Sequence, residues 1–338
     1  MKSVLVKGMG VVIFSLLLTT VILEIVMRIA GYTAWSPVPI EDDVTYLPRS
    51  PIVLDTTLGY KMLPGEFKIT YNKEFVFTIT HNRNGYRITS PDTITKANST
   101  KRRINIFGDS FTHGSGLNDT QTYPWLLQQK LPDWQVNNYG ISGYGIANVL
   151  TQIEKYFPPH KGDIYIYSYF TQHNNRYERT VLKMIYAQPK LMGMLGYLTL
   201  NSNLATTFHA YDYKMFTLSR YSALINFLED KWDGYLDKRD NFEAMAVAQK
   251  AINYLNNKCK KAGAILVIAG IRQHDGTAKM LNYCNEQKIL STDISVDLTN
   301  NKFNQMPFDD HPNSYSNILF ANRLNKFLID KNLLSKLK

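Results

Sequence analysis

Three textures of hydrophobic and polar positions follow one another along this chain, and each predicts a different kind of element. The first is an uncharged apolar run, GMGVVIFSLLLTTVIL, from Gly8 to Leu23. Lys2 and Lys7 precede it, and Ile25, Val26, Met27 and Ile29 extend it around Glu24 and Arg28. As helix, residues 8–23 cover about 24 Å, short of a hydrocarbon core of about 30 Å. Residues 8–29 cover about 33 Å, enough to cross if Arg28 snorkels to the far interface. Glu24 and Arg28 are four residues apart and can pair on one helix face. The alternative is a cleaved signal peptide, whose apolar core normally spans about 7–15 residues. The cleavage candidates are only Ala30-Gly31-Tyr32 and Thr33-Ala34. Residues 1–31 are therefore expected to be an uncleaved anchor, with the signal peptide as the alternative. Lysines at its N-terminal side place that end in the cytoplasm and the rest of the chain outside.

The second texture is alternation. EFKITYNKEFVFTITHNRNGYRIT, with Asn84-Gly85 as a turn signal and prolines at 37, 39, 48, 51, 64 and 91, predicts a β-rich segment over 35–100. The third is a series of short apolar runs separated by helical periodicity. The runs are 104–108, 135–140, 164–170, 264–270 and 294–298; the helical stretches include 120–131, 145–157 and 241–261. Phe242, Met245, Ala246, Ala251 and Leu255 give the last of these its stripe. At the end, Asn313 can cap a helix over 313–334 that buries Ile318, Leu319, Leu324, Phe327 and Leu328. Alternating strands and helices predict an α/β domain over 101–335, a doubly wound parallel sheet covered on both faces. Residues 176–240, rich in Tyr, Leu and Met, interrupt it. They read as a mainly helical insertion, either structural or a lid.

Composition narrows the field. The chain has 338 residues, 44% hydrophobic and 20% charged, which excludes a disordered or low-complexity protein. The net charge of +10 is spread along the chain. That suits a solvated basic surface, anionic lipid or acidic polysaccharide better than nucleic acid, which is not expected as a partner. Two cysteines exclude a disulfide framework and a four-cysteine zinc site. Outside the cytoplasm Cys259 and Cys284 either form one disulfide or stay as buried thiols, and both remain open. GISGYG at 140–145 lacks the spacing of a dinucleotide loop.

The candidate chemistry lies where the strands end, since open parallel sheets bind ligands beyond their carboxyl edges. The first run of the third texture leads into Gly108-Asp109-Ser110-Phe111-Thr112-His113-Gly114. Gly108 permits a sharp exit, and Ser110 then opens a helix with its N–H outward for an oxyanion. A serine nucleophile needs a base. Of the histidines, His311 follows the last predicted strand and precedes the last helix, with Asp309 and Asp310 beside it to orient the imidazole. His113 is expected to pack beneath the loop rather than touch substrate. The remaining histidines lack metal-ligand spacing, and no metal or cofactor is expected.

GDSFTHG, NNYGISGYG, the end of the third run and DDHPN together resemble the SGNH/GDSL hydrolase superfamily, in its order, over residues 103–330. The chain is also similar to a membrane-anchored branch whose leading β-rich segment ends in Asn-x-x-Gly-aromatic-Arg, here Asn82-Arg83-Asn84-Gly85-Tyr86-Arg87, where either asparagine can fill the first place. The resemblance implies a flavodoxin-like five-stranded sheet and a serine esterase, with Ser110 as nucleophile and His311 as base. It implies an oxyanion hole from the N–H of Ser110 and of Gly143, with Gly140 second. The superfamily's last block reads Asp-x-x-His, but Phe308 stands three before His311, so the acid is assigned to Asp309, with Asp310 as fallback. The third block usually supplies an Asn; by count Gln172 fills that place, and Asn174 or Asn175 would if the loop bulges. His173 and Arg176 are candidates for contacting an anionic substrate. The implied activity is hydrolysis of an acyl ester on an envelope glycan or lipid. An O-acyltransferase acting on an envelope polysaccharide, or a non-catalytic glycan-binding protein, are the alternatives.

Overall fold

The computed structural model describes residues 2–37, 44–91, 102–170, 182–183, 186, 196–210, 213–240 and 243–335. In chain order its elements begin with α1 (Lys2–Ile29), β1 (Thr45–Leu47), β2 (Ile52–Asp55), β3 (Gly59–Met62), β4 (Gly65–Tyr71) and β5 (Phe75–His81). There follow β6 (Arg103–Phe107), α2 (Ser110–His113), α3 (Tyr123–Lys130), β7 (Gln135–Asn138), α4 (Ile146–Lys155), β8 (Ile164–Tyr169), β9 (Gly196–Leu200) and β10 (Thr206–Ala210). The chain closes with α5 (Ala223–Asp240), α6 (Ala244–Lys261), β11 (Ile265–Arg272), α7 (Asp275–Glu286), β12 (Leu290–Val296), β13 (Asn304–Gln305), β14 (Asp309–Pro312) and α8 (Ser314–Asp330). Two compact units divide it. One comprises Met1–Pro39, Glu178–Met192 and Asp212–Asp240; the other comprises Ile40–Tyr177, Gly193–Tyr211 and Asn241–Lys338.

The larger unit is built on a five-stranded sheet in the order β7-β6-β8-β11-β12, parallel throughout. Numbered along the sheet this is 2-1-3-4-5, the flavodoxin-like doubly wound order. Strand alternation divides the core between the two faces. Tyr165, Tyr167 and Tyr169 of β8 pack with α4, α6 and α7, through Val149, Ile153, Ile252, Leu255 and Met280. Ile164 and Ile166 face the other way, onto Tyr123 and Leu127 of α3 and Phe320 and Leu324 of α8. Because both faces are covered, every residue of β8 is buried, and the strand reads as a continuous apolar run. Cys259 and Cys284 are both free and buried in this core, and burial pushes each thiol up to about 12.

The last strand of the sheet runs over 290–296 rather than 294–298. Its first residues, Leu290 to Asp293, are only partly covered and carry no apolar run to betray them. Residues 176–240 are also less uniformly helical than their composition suggests. Residues 196–200 and 206–210 pair as an antiparallel hairpin, and Leu198 and Leu200 join the α4–α6 side of the core.

Ahead of the sheet, β4 and β5 pair antiparallel with β1 on the edge, and Phe67, Ile69, Phe77 and Ile79 form a small core of their own. The chain then turns at Asn82. Its Oδ1 accepts the N–H groups of Asn84 and Tyr86 at 2.9 and 3.2 Å. Gly85 sits there at φ +82°, and a methyl at this position would stand 2.0 Å from the Met62 carbonyl oxygen. Only glycine meets both constraints.

In the smaller unit, the 22 residues Gly8–Ile29 of α1 are long and apolar enough to cross a membrane. Arg28 Nε reaches the Glu24 carboxylate at 2.6 Å, the expected i,i+4 pair. Glu24 does more than pair. Its carboxylate accepts from Ser222 Oγ (2.7 Å) and from the N–H groups of Ala223 and Leu224 (2.9 Å each), so it caps α5 from another helix. Arg28 also donates to the Tyr221 carbonyl at 3.0 Å, Asn226 Nδ2 donates to Thr33 O at 3.1 Å, and Tyr32 packs edge-on against Phe227.

Candidate active site

The site begins at the end of β6, where Gly108 lets the backbone leave the sheet. A methyl on Gly108 would come within 2.2 Å of Thr112 Oγ1 and 3.2 Å of Ser168 Cβ, so the turn closes only around a hydrogen. Asp109 is the N-cap of α2, its side chain accepting from Phe111 N at 2.9 Å. Ser110 is therefore the first helical residue, and its N–H is one of those a helix leaves without an internal partner.

His311 arrives on β14, which β13 pairs with antiparallel. Gln305 of β13 binds the two loops together, its Nε2 donating to the carbonyls of Ser115 (2.9 Å) and Pro312 (3.0 Å). The side chains converge. Ser110 Oγ lies 2.8 Å from His311 Nε2, and His311 Nδ1 lies 2.6 Å from Asp309 Oδ1. Asp310 is 3.8 Å from the same nitrogen and 73% exposed. With Nδ1–H donating to Asp309, Nε2 carries the lone pair and accepts from the Ser110 hydroxyl. Phe111 packs edge-on against the His311 ring at 5.5 Å and stacks on Phe170.

Two opposing effects set the His311 proton affinity. Burial disfavours the imidazolium, while the hydrogen bond and charge of Asp309, with Asp310 and Asp109 behind it, favour it; the net is a pKa above the ordinary 6.5. Burial likewise works against the Asp309 carboxylate, but its bond to His311 prevails and holds it below the ordinary value.

The loop after β7 lies alongside. Gly140 N–H is engaged by Asn138 Oδ1 at 3.0 Å, which leaves Gly143 as the candidate donor in this loop. Ser142 Oγ meets Ser115 Oγ at 2.8 Å, and the Tyr60 hydroxyl donates to Ser142 O at 2.6 Å. Gln172, His173, Asn174, Asn175 and Arg176 lie outside the described residues. Asp309, Asp310 and His311 are the group of metal-ligating types that cluster among the described residues. Both nitrogens of His311 already have partners, so a cation would have to displace the Asp309–His311 hydrogen bond.

His113, the last residue of the helix that Ser110 opens, is buried, its Nε2 3.0 Å from His81 Nε2. Arg87, which ends the Asn-x-x-Gly-aromatic-Arg signature, is fully buried. It donates to Asp119 (2.9 Å) and to the carbonyls of His113 (2.9 Å), Gly114 (2.5 Å) and Leu117. The signature thus holds the loop that follows Ser110. Gln305 and Arg272 carried no motif. Arg272, the last residue of β11, lays its guanidinium 4.9 Å from the Phe170 ring centre, and a cation ending an apolar strand was the available signal.

No family model matches the chain, and no curated protein matches it. Among solved structures it is similar to TesA, at 14% identity and a TM-score of 0.40, with 69% of this chain and 100% of that one covered. It is also similar to a member of the lipolytic protein G-D-S-L family from Veillonella parvula (13%, TM-score 0.38, 67% and 97% covered). A family two carbohydrate esterase from Cellvibrio japonicus is a third (14%, TM-score 0.38, 80% and 72% covered).

Proposed function

We propose that this chain is a membrane-anchored serine esterase of the SGNH/GDSL type, its hydrolase domain outside the cytoplasm, acting on acyl esters of an envelope glycan or lipid. The observation that carries the reading is the unbroken hydrogen-bond line Ser110 Oγ–His311 Nε2, His311 Nδ1–Asp309 Oδ1, at 2.8 and 2.6 Å, with Ser110 at a helix start on the carboxyl edge of the sheet. Nucleophile, base and orienting acid are the parts acyl transfer needs, and in this geometry each has one role.

In the proposed reaction His311 Nε2 takes the Ser110 proton as Oγ attacks the ester carbonyl carbon. The N–H groups of Ser110 and Gly143 receive the oxyanion, joined by a side-chain donor from 172–175. Collapse breaks the bond to the alcohol oxygen, which leaves with the proton from His311. Water then attacks the acyl-enzyme with His311 again as base. Collapse breaks the Ser110 Oγ–acyl bond, Oγ takes the proton back from His311, and the carboxylic acid leaves. Asp309 stays ionised throughout and stabilises the imidazolium. Location supports the substrate class: an apolar helix at the N-terminus, and a net charge of +10 suited to anionic surfaces.

The test is hydrolysis of p-nitrophenyl acetate by the full chain in detergent, compared with Ser110→Ala and His311→Ala. Loss of the rate in both variants is expected. A wild-type rate equal to that of the variants would overturn the esterase reading.

A further inference from the structure

Helix α5 buries Ala223 and Leu236 and exposes Asp230, as a helix in water would, but along most of its length the pattern is reversed. Glu229, Asp233 and Asp237, one helical turn apart, are buried at 1%, 5% and 9% exposure, while Leu228, Trp232 and Tyr235 are exposed at 49%, 51% and 58%. The acids are served from within their own unit. Lys183 Nζ stands 3.1 Å from Glu229, and the Tyr213 hydroxyl stands 2.6 Å from Asp233. The outward residues share one face with Tyr221, at helical spacing, and Phe216 and Leu218 extend the apolar surface into the preceding turn; all are exposed. Lys231, Lys238 and Arg239 rim it. A water-facing helix carries its acids outside and its aromatics inside. This one suits a medium that accepts aromatic and aliphatic side chains and has anionic groups within reach of lysine.

The attachment of α5 says which medium. Its first turn is held by Glu24, and the Tyr221 carbonyl is held by Arg28, both in the last turns of α1. If α1 crosses a bilayer, its residues 24–29 lie where hydrocarbon gives way to headgroups, and α5 starts at that height. Trp and Tyr are the side chains enriched there, because each joins an apolar ring to a polar tip. We infer that the outward face of α5 and its preceding turn is a lipid-docking surface, seated in the interface of the leaflet from which α1 emerges, with anionic headgroups meeting its basic rim. The carboxylate of Glu24 thus ties the span to an interfacial helix, and the two act as one membrane-bound unit. The inference rests on reading α1 as a span. It also makes α1 a structural member of its unit, and its removal would strip the cap from α5.

Nitroxide labels on the full chain, in nanodiscs of mixed phosphatidylcholine and phosphatidylglycerol, test it. Labels at Tyr235→Cys and Trp232→Cys report the face, Ser15→Cys reports the span, and the exposed Lys326→Cys serves as the aqueous reference; the native cysteines are buried. Collision with lipid-soluble oxygen, relative to a water-soluble nickel chelate, is the readout. A ratio several-fold above the reference at positions 232 and 235, and higher still at 15, is expected. A deep label at 15 with aqueous ratios at 232 and 235 would overturn the lipid surface and leave the anchor standing. Protection of 232 and 235 from both reagents would overturn it in favour of a protein partner or a second copy. An aqueous ratio at 15 would overturn the anchor, and this inference with it.

Discussion

Arg87 Nη1 stands 2.9 Å from the carbonyl oxygen of His113, the last residue of the helix that Ser110 opens. One guanidinium from the end of the β-rich segment so fixes the loop that follows Ser110. Its fork, itself buried, serves the half-buried Asp119 and the carbonyls of His113, Gly114 and Leu117. Arg87→Ala would take the ion partner from Asp119 and the guanidinium bonds from those carbonyls, leaving Asp119 with the Thr80 N–H, a loss of about 3–5 kcal/mol. Arg87→Lys keeps the charge but not the fork, and should recover only part of it. Denaturant midpoints of the two variants check this; a midpoint unchanged in Arg87→Ala would remove the clamp from the account.

Asp309 and Asp310 should separate cleanly under mutation. Asp309 touches His311 Nδ1 at 2.6 Å, whereas Asp310 is 3.8 Å away and exposed. Asp309→Asn presents an amide that can hold the wrong tautomer, and kcat should fall by roughly 10³–10⁴. Asp310→Asn should stay within a few-fold of wild type. The measurement is kcat/KM on a p-nitrophenyl ester for each, and the reverse ranking would reassign the orienting acid.

The pH–rate profile follows from the same carboxylates. Nε2 must be unprotonated to accept the serine proton, so the rate rises with pH through the His311 pKa and is lost below it. Burial lowers that value, but the Asp309 bond and the nearby charges outweigh burial, so the midpoint should lie above 6.5. Removing the Asp310 charge should shift it downward. A midpoint at or below the ordinary imidazole value would contradict the stated balance.

Much of this architecture is legible in the chain because burial on two sides leaves an unmistakable trace. Strands 103–107, 164–169 and 265–272 are mostly apolar, broken only by Arg103, Asn105, Ser168 and Arg272, and the rule that ligands gather at carboxyl edges brings Ser110 and His311 to the same place, where they meet. What was less legible depends on distant partners. The hairpin of β9 and β10 looks like any Tyr- and Leu-rich stretch until its face packs on the core. Helix α7 offers little periodicity, since Met280 and Cys284 are its only large buried apolar residues. The β4–β5 turn passes through Asn72 and Lys73 at φ +50° and +62°, and lysine is no signal for that conformation. Glu24 as the cap of a helix almost 200 residues away has no local signature at all.

The buried pair His81–His113 sets the last expectation, for stability in acid. His81 Nδ1 faces the Leu63 carbonyl at 2.9 Å and must carry the hydrogen, because a carbonyl only accepts. His81 Nε2 is then a lone pair, and His113 Nε2–H donates to it at 3.0 Å. The Nδ1 of His113 is left unprotonated and buried, without a hydrogen bond among the described residues. Protonating His81 would turn two N–H groups toward each other. Burial is the larger cause holding it down, with the Leu63 bond and Asp119 opposing and Arg87 adding to the depression, and its pKa falls to about 4. His113 is lowered too, by burial first and then by the charges of His81, Arg87 and His311. In the unfolded chain both titrate near the ordinary value. Stability from this pair is therefore complete above about pH 6.5 and drains away as the pH falls toward 4, on the order of 3 kcal/mol for His81 alone. Paired carboxylates such as Asp309 weaken the fold in acid as well, so the comparison must be between wild type and a variant. His81→Gln keeps a donor for Leu63 and an acceptor for His113 but cannot titrate. Its unfolding midpoint should fall less than that of wild type between pH 6.5 and 4.5, and parallel curves for the two proteins would show that the pair does not titrate as the geometry requires.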